Sequence, residues 1–132
     1  MIAVDTSAVI AILFGEPERE DFYAILDSAP AAVMSAGTLV EARIVARRLA
    51  GDAMVDLLHA LIDRAGIQIE PVTEAHSAIA HQAFVKYGKG NGHPAQLNFG
   101  DLFSYALAKQ RGLPLLFKGG DFAATDIASA AA

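Results

Sequence analysis

The sequence predicts an α/β fold, in which a mostly parallel sheet of four to five strands is flanked by helices. Short apolar runs that suit buried strands alternate along the chain with longer segments of helical periodicity. Glycine, proline and capping residues separate these segments at short intervals. Strands that alternate with helices in this way are typical of a parallel sheet covered on both faces.

The first strand is expected at residues 2–4, a short apolar run at the start of the chain. A helix from Ala8 follows it, and either Thr6 or Ser7 is placed to cap that helix. Asp5 therefore lies in the turn between a buried strand and a helix. In open α/β sheets, ligands and catalytic groups gather at this edge, where the strands end.

The middle of the chain continues the alternation and has clear helix boundaries. Ser35 and Thr73 are placed as helix caps, and Gly66 ends a helix in the left-handed conformation. The expected elements are a helix from Glu16, a strand at 31–34, helices at 36–50 and 52–65, a strand at 67–72 and a helix that ends near Tyr87.

The last third of the chain contains one long segment without periodicity, residues 88–100. A loop of this length inside a compact domain is usually functional or mobile. Its glycines form neither a phosphate-binding loop nor a dinucleotide fingerprint. A helix opened by Asn98 runs to Arg111, a fourth strand follows at 113–117, and residues 122–127 are expected to add a short final strand.

Four acids fall in similar places of this predicted fold. Asp5 and Asp121 follow buried strands, Asp101 begins a helix, and Glu41 lies about two turns into a helix that follows a strand. Each has an ordinary alternative role, as an acceptor of turn amides, a partner of the helix dipole or an exposed helix residue. At one sheet edge, these carboxylates would repel one another unless protons or cations intervened. Oxygen ligands favour Mg²⁺ or Mn²⁺, which can activate water and assist phosphodiester hydrolysis.

Composition limits the other classes of chemistry. The 132-residue chain has no cysteine, which excludes disulfides, thiolate zinc sites and cysteine nucleophiles. Its four histidines lack the spacing of a zinc protease, and there is no Gly-x-Ser-x-Gly elbow. A net charge of −5 disfavours nucleic-acid binding by bulk electrostatics but allows phosphate to be held through metal ions. No apolar run suits a membrane span or a secretory signal, so we expect a cytoplasmic location without membrane contact.

Four segments of the chain carry a resemblance to a known family, and they occur in that family's order. They are Val-Asp-Thr-Ser-Ala at 4–8, the segment 35–42 that ends in Val-Glu-Ala, Leu-Asn-Phe-Gly-Asp-Leu-Phe-Ser-Tyr-Ala-Leu-Ala-Lys at 97–109, and Leu-Leu-Phe-Lys-Gly-Gly-Asp-Phe at 115–122. Together they resemble the PIN-domain ribonucleases and, more narrowly, the VapC toxins of bacterial toxin–antitoxin pairs. The resemblance implies a single PIN-like nuclease domain over residues 1–132, with a Rossmann-like sheet and an acidic pocket at its carboxyl edge.

The resemblance also implies a metal-dependent endoribonuclease and assigns its site residues position by position. The catalytic acids are Asp5, Glu41, Asp101 and Asp121. Of these, Asp5, Asp101 and Asp121 match the family's ligands for Mg²⁺ or Mn²⁺, and Glu41 acts as a ligand or orients water.

The fourth acidic position departs from the family pattern. Family members often carry Asn or Asp where this chain has Gly120. The fourth position is therefore open between Asp121 and Asp126.

The partners implied by the resemblance are an RNA substrate, a second copy in a homodimer and a cognate VapB-like antitoxin. The antitoxin would cover the groove and direct a basic or polar side chain towards the acids. Candidates for phosphate contact are Arg43, Arg47, Arg48, Lys86 and Lys89. Two alternatives remain open: a catalytically weakened PIN-fold module that acts through its antitoxin complex, or a PIN nuclease outside toxin pairs.

Overall fold

A four-stranded sheet forms the centre of the protein in a computed structural model that describes residues 1–132. The strands are β1 (Ile2–Val4), β2 (Ala32–Ser35), β3 (Ile67–Glu70) and β4 (Leu115–Leu116). They lie in the order β3-β2-β1-β4, and every neighbouring pair is parallel. The predicted α/β class with a mostly parallel sheet is confirmed.

Five helices connect and cover the strands. They are α1 (Thr6–Leu13), α2 (Arg19–Ser28), α3 (Ala36–Ala65), α4 (Glu74–Tyr87) and α5 (Phe99–Arg111). The backbone of α3 is non-helical at Ala50 and Gly51, so its two halves correspond to the two helices predicted there. None of the helices combines the length and the apolar character that a bilayer span requires.

The sheet separates two apolar cores because successive residues of a strand point to opposite faces. One core packs α1, α2 and α3 against the sheet, and the other packs α4 and α5 against the opposite face. Val4 and Met34 belong to the first core, whereas Ala3 and Val33 belong to the second. Burial on both faces explains why these strands are continuously apolar in the sequence.

The predicted fifth strand at residues 122–127 is wrong. Phe122–Ala124 forms a single 3₁₀ turn, and an isolated bridge joins Ser129 to Leu115. The Thr125 hydroxyl donates to the Phe122 carbonyl oxygen at 2.7 Å and accepts from the Ile127 N–H at 3.2 Å. These local side-chain hydrogen bonds compete with strand pairing and keep the segment in a turn.

The long loop between α4 and α5 is pinned to the end of α4. The Leu97 N–H donates to the Tyr87 carbonyl oxygen at 2.9 Å, and the Lys89 N–H donates to the Leu97 carbonyl oxygen at 2.8 Å. The His93 ring packs edge-on against Tyr87 with centroids 4.8 Å apart, and Ala95 is fully buried. The loop thereby fixes where α5 begins.

Candidate active site

Asp5 lies where β1 ends and is itself the cap of α1. Its side chain is buried, with 3% of its surface exposed. Its Oδ2 accepts hydrogen bonds from the Ser7 N–H at 3.1 Å and from the Ser7 hydroxyl at 2.7 Å. The predicted cap at Thr6 or Ser7 is therefore wrong, because Asp and Ser are almost equally good caps and the local pattern could not separate them. The Ser104 hydroxyl of α5 donates to Oδ1 at 2.6 Å.

Asp101 is fixed in the first turn of α5 by a capping box. Asn98 Oδ1 accepts from the Asp101 N–H at 3.0 Å, and Asp101 Oδ2 accepts from the Asn98 N–H at 3.0 Å. Asn98 is thus confirmed as the cap that the sequence predicts. Because the capping box uses only Oδ2, the Oδ1 atom of Asp101 remains available to a ligand.

Glu41 lies on α3 with its carboxylate against the backbone of Gly100. A Cβ atom at Gly100 would lie 1.7 Å from Glu41 Oε2, so a glycine is required for the carboxylate to occupy this place. The contact places Glu41 beside Asp101. Burial raises the pKa of Glu41, a hydrogen bond from the Thr6 hydroxyl opposes that rise, and the negative charge of Asp5 adds to it.

Asp101 receives the electrostatic influence of all three other acids. Burial raises the pKa of Asp101, and the hydrogen bond from the Asn98 N–H opposes that rise. The negative charges of Asp5, Glu41 and Asp121 add to the effect of burial, and together these causes bring the pKa to about 7. The four acids predicted from the sequence therefore lie near one another at the carboxyl edge of the sheet.

The two candidates for the fourth acid lie in different surroundings. Asp121 is exposed at the start of the 3₁₀ turn after β4, and its charge acts on Asp101. Asp126 lies after the 3₁₀ turn and contacts the later part of α5, where it accepts hydrogen bonds from the Tyr105 hydroxyl at 2.6 Å and from Lys109 Nζ at 2.5 Å. The charge that reaches the cluster is that of Asp121.

A hard divalent cation fits the donor chemistry of this cluster. All of the donors are carboxylate oxygens, and their repulsion, which raises the pKa of Asp101, would be relieved by a positive charge. No group of three or more histidine or acidic side chains is close enough together to hold an ion alone. Mg²⁺, however, usually uses one or two carboxylates, several waters and substrate phosphate. Asp5 and Asp101 could supply that smaller set.

Sequence reasoning missed the hydroxyl groups around Asp5, above all Ser104. Ser104 is 99 residues from Asp5 in the chain, and the two meet only because α5 packs against the sheet beside β1. The one signal in the sequence was a serine among apolar residues on the inner face of α5, between Leu102 and Leu107. A polar side chain at such a position needs a buried partner.

The basic residues predicted to contact phosphate differ in their surroundings. Arg48 lines a cavity of about 410 Å³ together with Glu41 and Gly100. Arg43 and Arg47 instead donate hydrogen bonds to other side chains of α3. Arg48 is therefore the basic residue of α3 that shares a cavity with a member of the acidic cluster.

Comparison with known proteins identifies the family. The PIN domain family matches residues 2–128. Ribonuclease VapC42 of Mycobacterium tuberculosis is 44% identical over 124 residues, which cover 94% of this chain and 95% of that protein. The chain belongs to the PIN-domain family, among the VapC ribonucleases.

Two solved structures share the fold of this chain. The VapC20 structure from Mycobacterium tuberculosis, described as a sarcin–ricin loop cleaving toxin, has a TM-score of 0.78 at 23% identity and covers 96% of each chain. A toxin–antitoxin complex from Klebsiella pneumoniae has a TM-score of 0.73 at 17% identity and covers 98% of each chain. The PIN-like fold predicted for this VapC-family chain is confirmed.

Proposed function

We propose that this VapC-family protein is the toxin of a toxin–antitoxin pair and a divalent-metal-dependent endoribonuclease that hydrolyses RNA phosphodiester bonds. One observation carries the proposal. Carboxylates from different elements converge where the strands end, and their negative charges add to the burial that raises the pKa of Asp101 to about 7. They do so in a chain whose relatives are named ribonucleases. Since its substrate is RNA, we expect the protein to act in the cytoplasm.

The acids take different roles in this proposal. Asp5 and Asp101 would hold the metal ion, with Asp101 using the Oδ1 atom that the capping box leaves free, and Asp121 would support the ion through the charge that it exerts on Asp101. Bound Mg²⁺ or Mn²⁺ would lower the pKa of a water molecule and neutralise charge on the scissile phosphate. Glu41, which lies against Gly100, would orient that water and accept a proton from it.

Substrate binding depends on local contacts because the chain as a whole is acidic, with a net charge of −5. Arg48 is the proposed phosphate contact, since it lines the same cavity as Glu41. A guanidinium can donate two parallel hydrogen bonds to a phosphate, which orients the RNA backbone as well as binding it. The sequence preference of cleavage would then be set by the shape of the groove.

A VapB-like antitoxin is the proposed inhibitor of this site. Val40 and Ile44 line the cavity beside Glu41 and are about half exposed, which offers apolar contact area to a peptide. The neighbouring carboxylates would attract a basic side chain from the same peptide. The antitoxin would thus block both the groove and the metal site.

A homodimer is the second proposed assembly. A separate cavity of about 490 Å³ lies between α4 and α5 and is lined mainly by apolar side chains, among them Val72, Phe84 and Phe103. An apolar surface of this kind is the usual core of a self-association interface. A second copy of the chain would cover it.

Controlled expression in a bacterial host tests the proposed function. We expect the parent chain and the control variant Asp56→Asn, which alters an exposed acid of α3, to stop growth and to produce new RNA 5′ ends. Asp5→Asn should do neither. Growth arrest by Asp5→Asn equal to that of the parent would contradict the nuclease proposal. Normal growth with the parent chain would contradict the toxin assignment and favour a catalytically weakened binding module.

A further inference from the structure

Two buried hydroxyl groups form a chain of hydrogen bonds that ends on Asp5. The Ser104 hydroxyl, 1% exposed, donates to Asp5 Oδ1 at 2.6 Å. The Thr38 hydroxyl, which is fully buried, lies 2.9 Å from Ser104 Oγ. Ser104 has a single hydroxyl hydrogen, and an ionised carboxylate accepts only. Thr38 must therefore donate to Ser104, and the direction from Thr38 through Ser104 to Asp5 is fixed.

The other oxygen of Asp5 has a full set of donors. Oδ2 accepts from both the N–H and the hydroxyl of Ser7. The Ser7 hydroxyl oxygen in turn accepts from the Lys118 N–H at 2.9 Å, directly beyond β4. An ionised carboxylate oxygen has about two acceptor positions. With two donors on Oδ2 and one on Oδ1, Asp5 keeps a single free acceptor position, and it lies on Oδ1.

We propose that Ser104, oriented by Thr38, is a positioning residue that holds the Asp5 carboxylate so that Oδ1 alone faces the divalent cation. The inference rests on the proposed function, in which Asp5 is a metal ligand. The three hydroxyl groups around Asp5 come from α1, α3 and α5. The carboxylate is therefore oriented by the packed helices themselves. Groups that hydrogen bond to metal ligands in this way typically affect metal affinity 10–100-fold.

Mn²⁺ binding to the full chain without RNA, measured by isothermal titration calorimetry, tests this role. We expect Ser104→Ala to bind Mn²⁺ at least ~10-fold more weakly than the parent, because the carboxylate loses the donor that orients Oδ1. Thr38→Val should show a smaller loss, about threefold, since Ser104 still reaches Asp5 but is no longer oriented itself. Thr38→Ser keeps the hydroxyl and should bind as the parent does.

Two further variants separate the possible outcomes. Ser28→Ala removes a hydroxyl that donates only to the Ile25 carbonyl oxygen on α2, and its affinity should equal that of the parent. Asp5→Asn should lose most of the Mn²⁺ affinity, and parental affinity in that variant would contradict the proposed metal site itself.

If Asp5→Asn loses affinity but Ser104→Ala binds Mn²⁺ like the parent, the role of Ser104 is overturned and the metal site stands. Thermal melting without metal verifies that each variant folds. If Ser104→Ala does not fold, the comparison of Thr38→Val with Thr38→Ser tests the role of Ser104 instead. Equal affinities of Thr38→Val and Thr38→Ser would overturn the proposal, and a weaker Thr38→Val would support it.

Discussion

At the scale of single residues, Asp101 makes the stability of the metal-free protein depend on pH. Its pKa is raised from 3.8 to about 7 in the folded chain. Between these values, the folded state binds a proton that the unfolded state does not. The free energy of unfolding therefore falls as the pH rises from about 4 to about 7. Above that window, the folded protein carries an unfavourable charge that a cation would relieve.

Asp101→Asn should remove this pH-dependent loss. An Asn side chain can still accept from the Asn98 N–H, so the capping box can keep that hydrogen bond. We expect the variant to gain stability relative to the parent as the pH rises from 4 to 8, by ~1 kcal/mol, because solvent screens this partly exposed group. Urea denaturation in a chelator measures the difference. Asp56→Asn is the control. If the difference in unfolding free energy between Asp101→Asn and the parent does not change with pH, the raised pKa of Asp101 is contradicted.

Gly100 gives a second prediction at the residue scale, because Glu41 occupies the space where a side chain would lie. Gly100→Ala should displace the Glu41 carboxylate and lower the single-turnover rate of RNA cleavage by ~100-fold, the usual cost of a catalytic group misplaced by about 1 Å. Gly120→Ala is the matched control, since no atom lies within 4 Å of the added Cβ. Equal rates for Gly100→Ala and the parent would exclude a role for Glu41.

At the scale of elements, the start of α5 links stability to activity. Asn98→Ala should cost about 1 kcal/mol of stability through the lost cap and should also release Asp101 from its fixed orientation. Thr73→Ala removes the equivalent cap of α4, where the Thr73 hydroxyl accepts from the His76 N–H at 3.2 Å. We expect similar melting temperatures for the two variants but reduced RNA cleavage only for Asn98→Ala. Equal activities would mean that the cap does not position Asp101.

Several helix caps could be predicted from the sequence, whereas the final segment and the contacts between distant elements could not. The caps at Ser35, Thr73 and Asn98 are correct because each bonds a backbone N–H two or three residues ahead, within its own local sequence. The final strand is wrong because Thr125 supplies local hydrogen bonds that compete with pairing. The contact of Ser104 with Asp5 depends on how α5 packs against the sheet, and no local pattern encodes it.

At the scale of the whole molecule, the parallel sheet explains why four acids far apart in the sequence meet. Parallel strands place all their carboxyl ends at one edge, so the cluster could be predicted once the alternation of strands and helices was recognised. The same fold leaves apolar surface between α4 and α5. A substitution on this surface therefore tests whether the protein forms the proposed homodimer.

Phe84→Lys should convert the proposed homodimer into a monomer. Phe84 lines the cavity between α4 and α5, and a charge there would be desolvated by a second copy. Val85→Lys is the control, because Val85 is more exposed than Phe84 and does not line that cavity. Size-exclusion chromatography with light scattering measures the mass. A parent that elutes as a monomer at all concentrations, or equal masses for both variants, would contradict this interface.

In the proposed function, the acidic cluster holds a divalent cation and cleaves RNA. RNA cleavage by the purified protein with and without Mg²⁺ tests this most directly. We predict internal cleavage by the parent and by Asp56→Asn with Mg²⁺ or Mn²⁺, none after chelation, and a loss of at least ~100-fold in Asp5→Asn. Cleavage that persists in the chelator, or equal rates for Asp5→Asn and the parent, would contradict the claim.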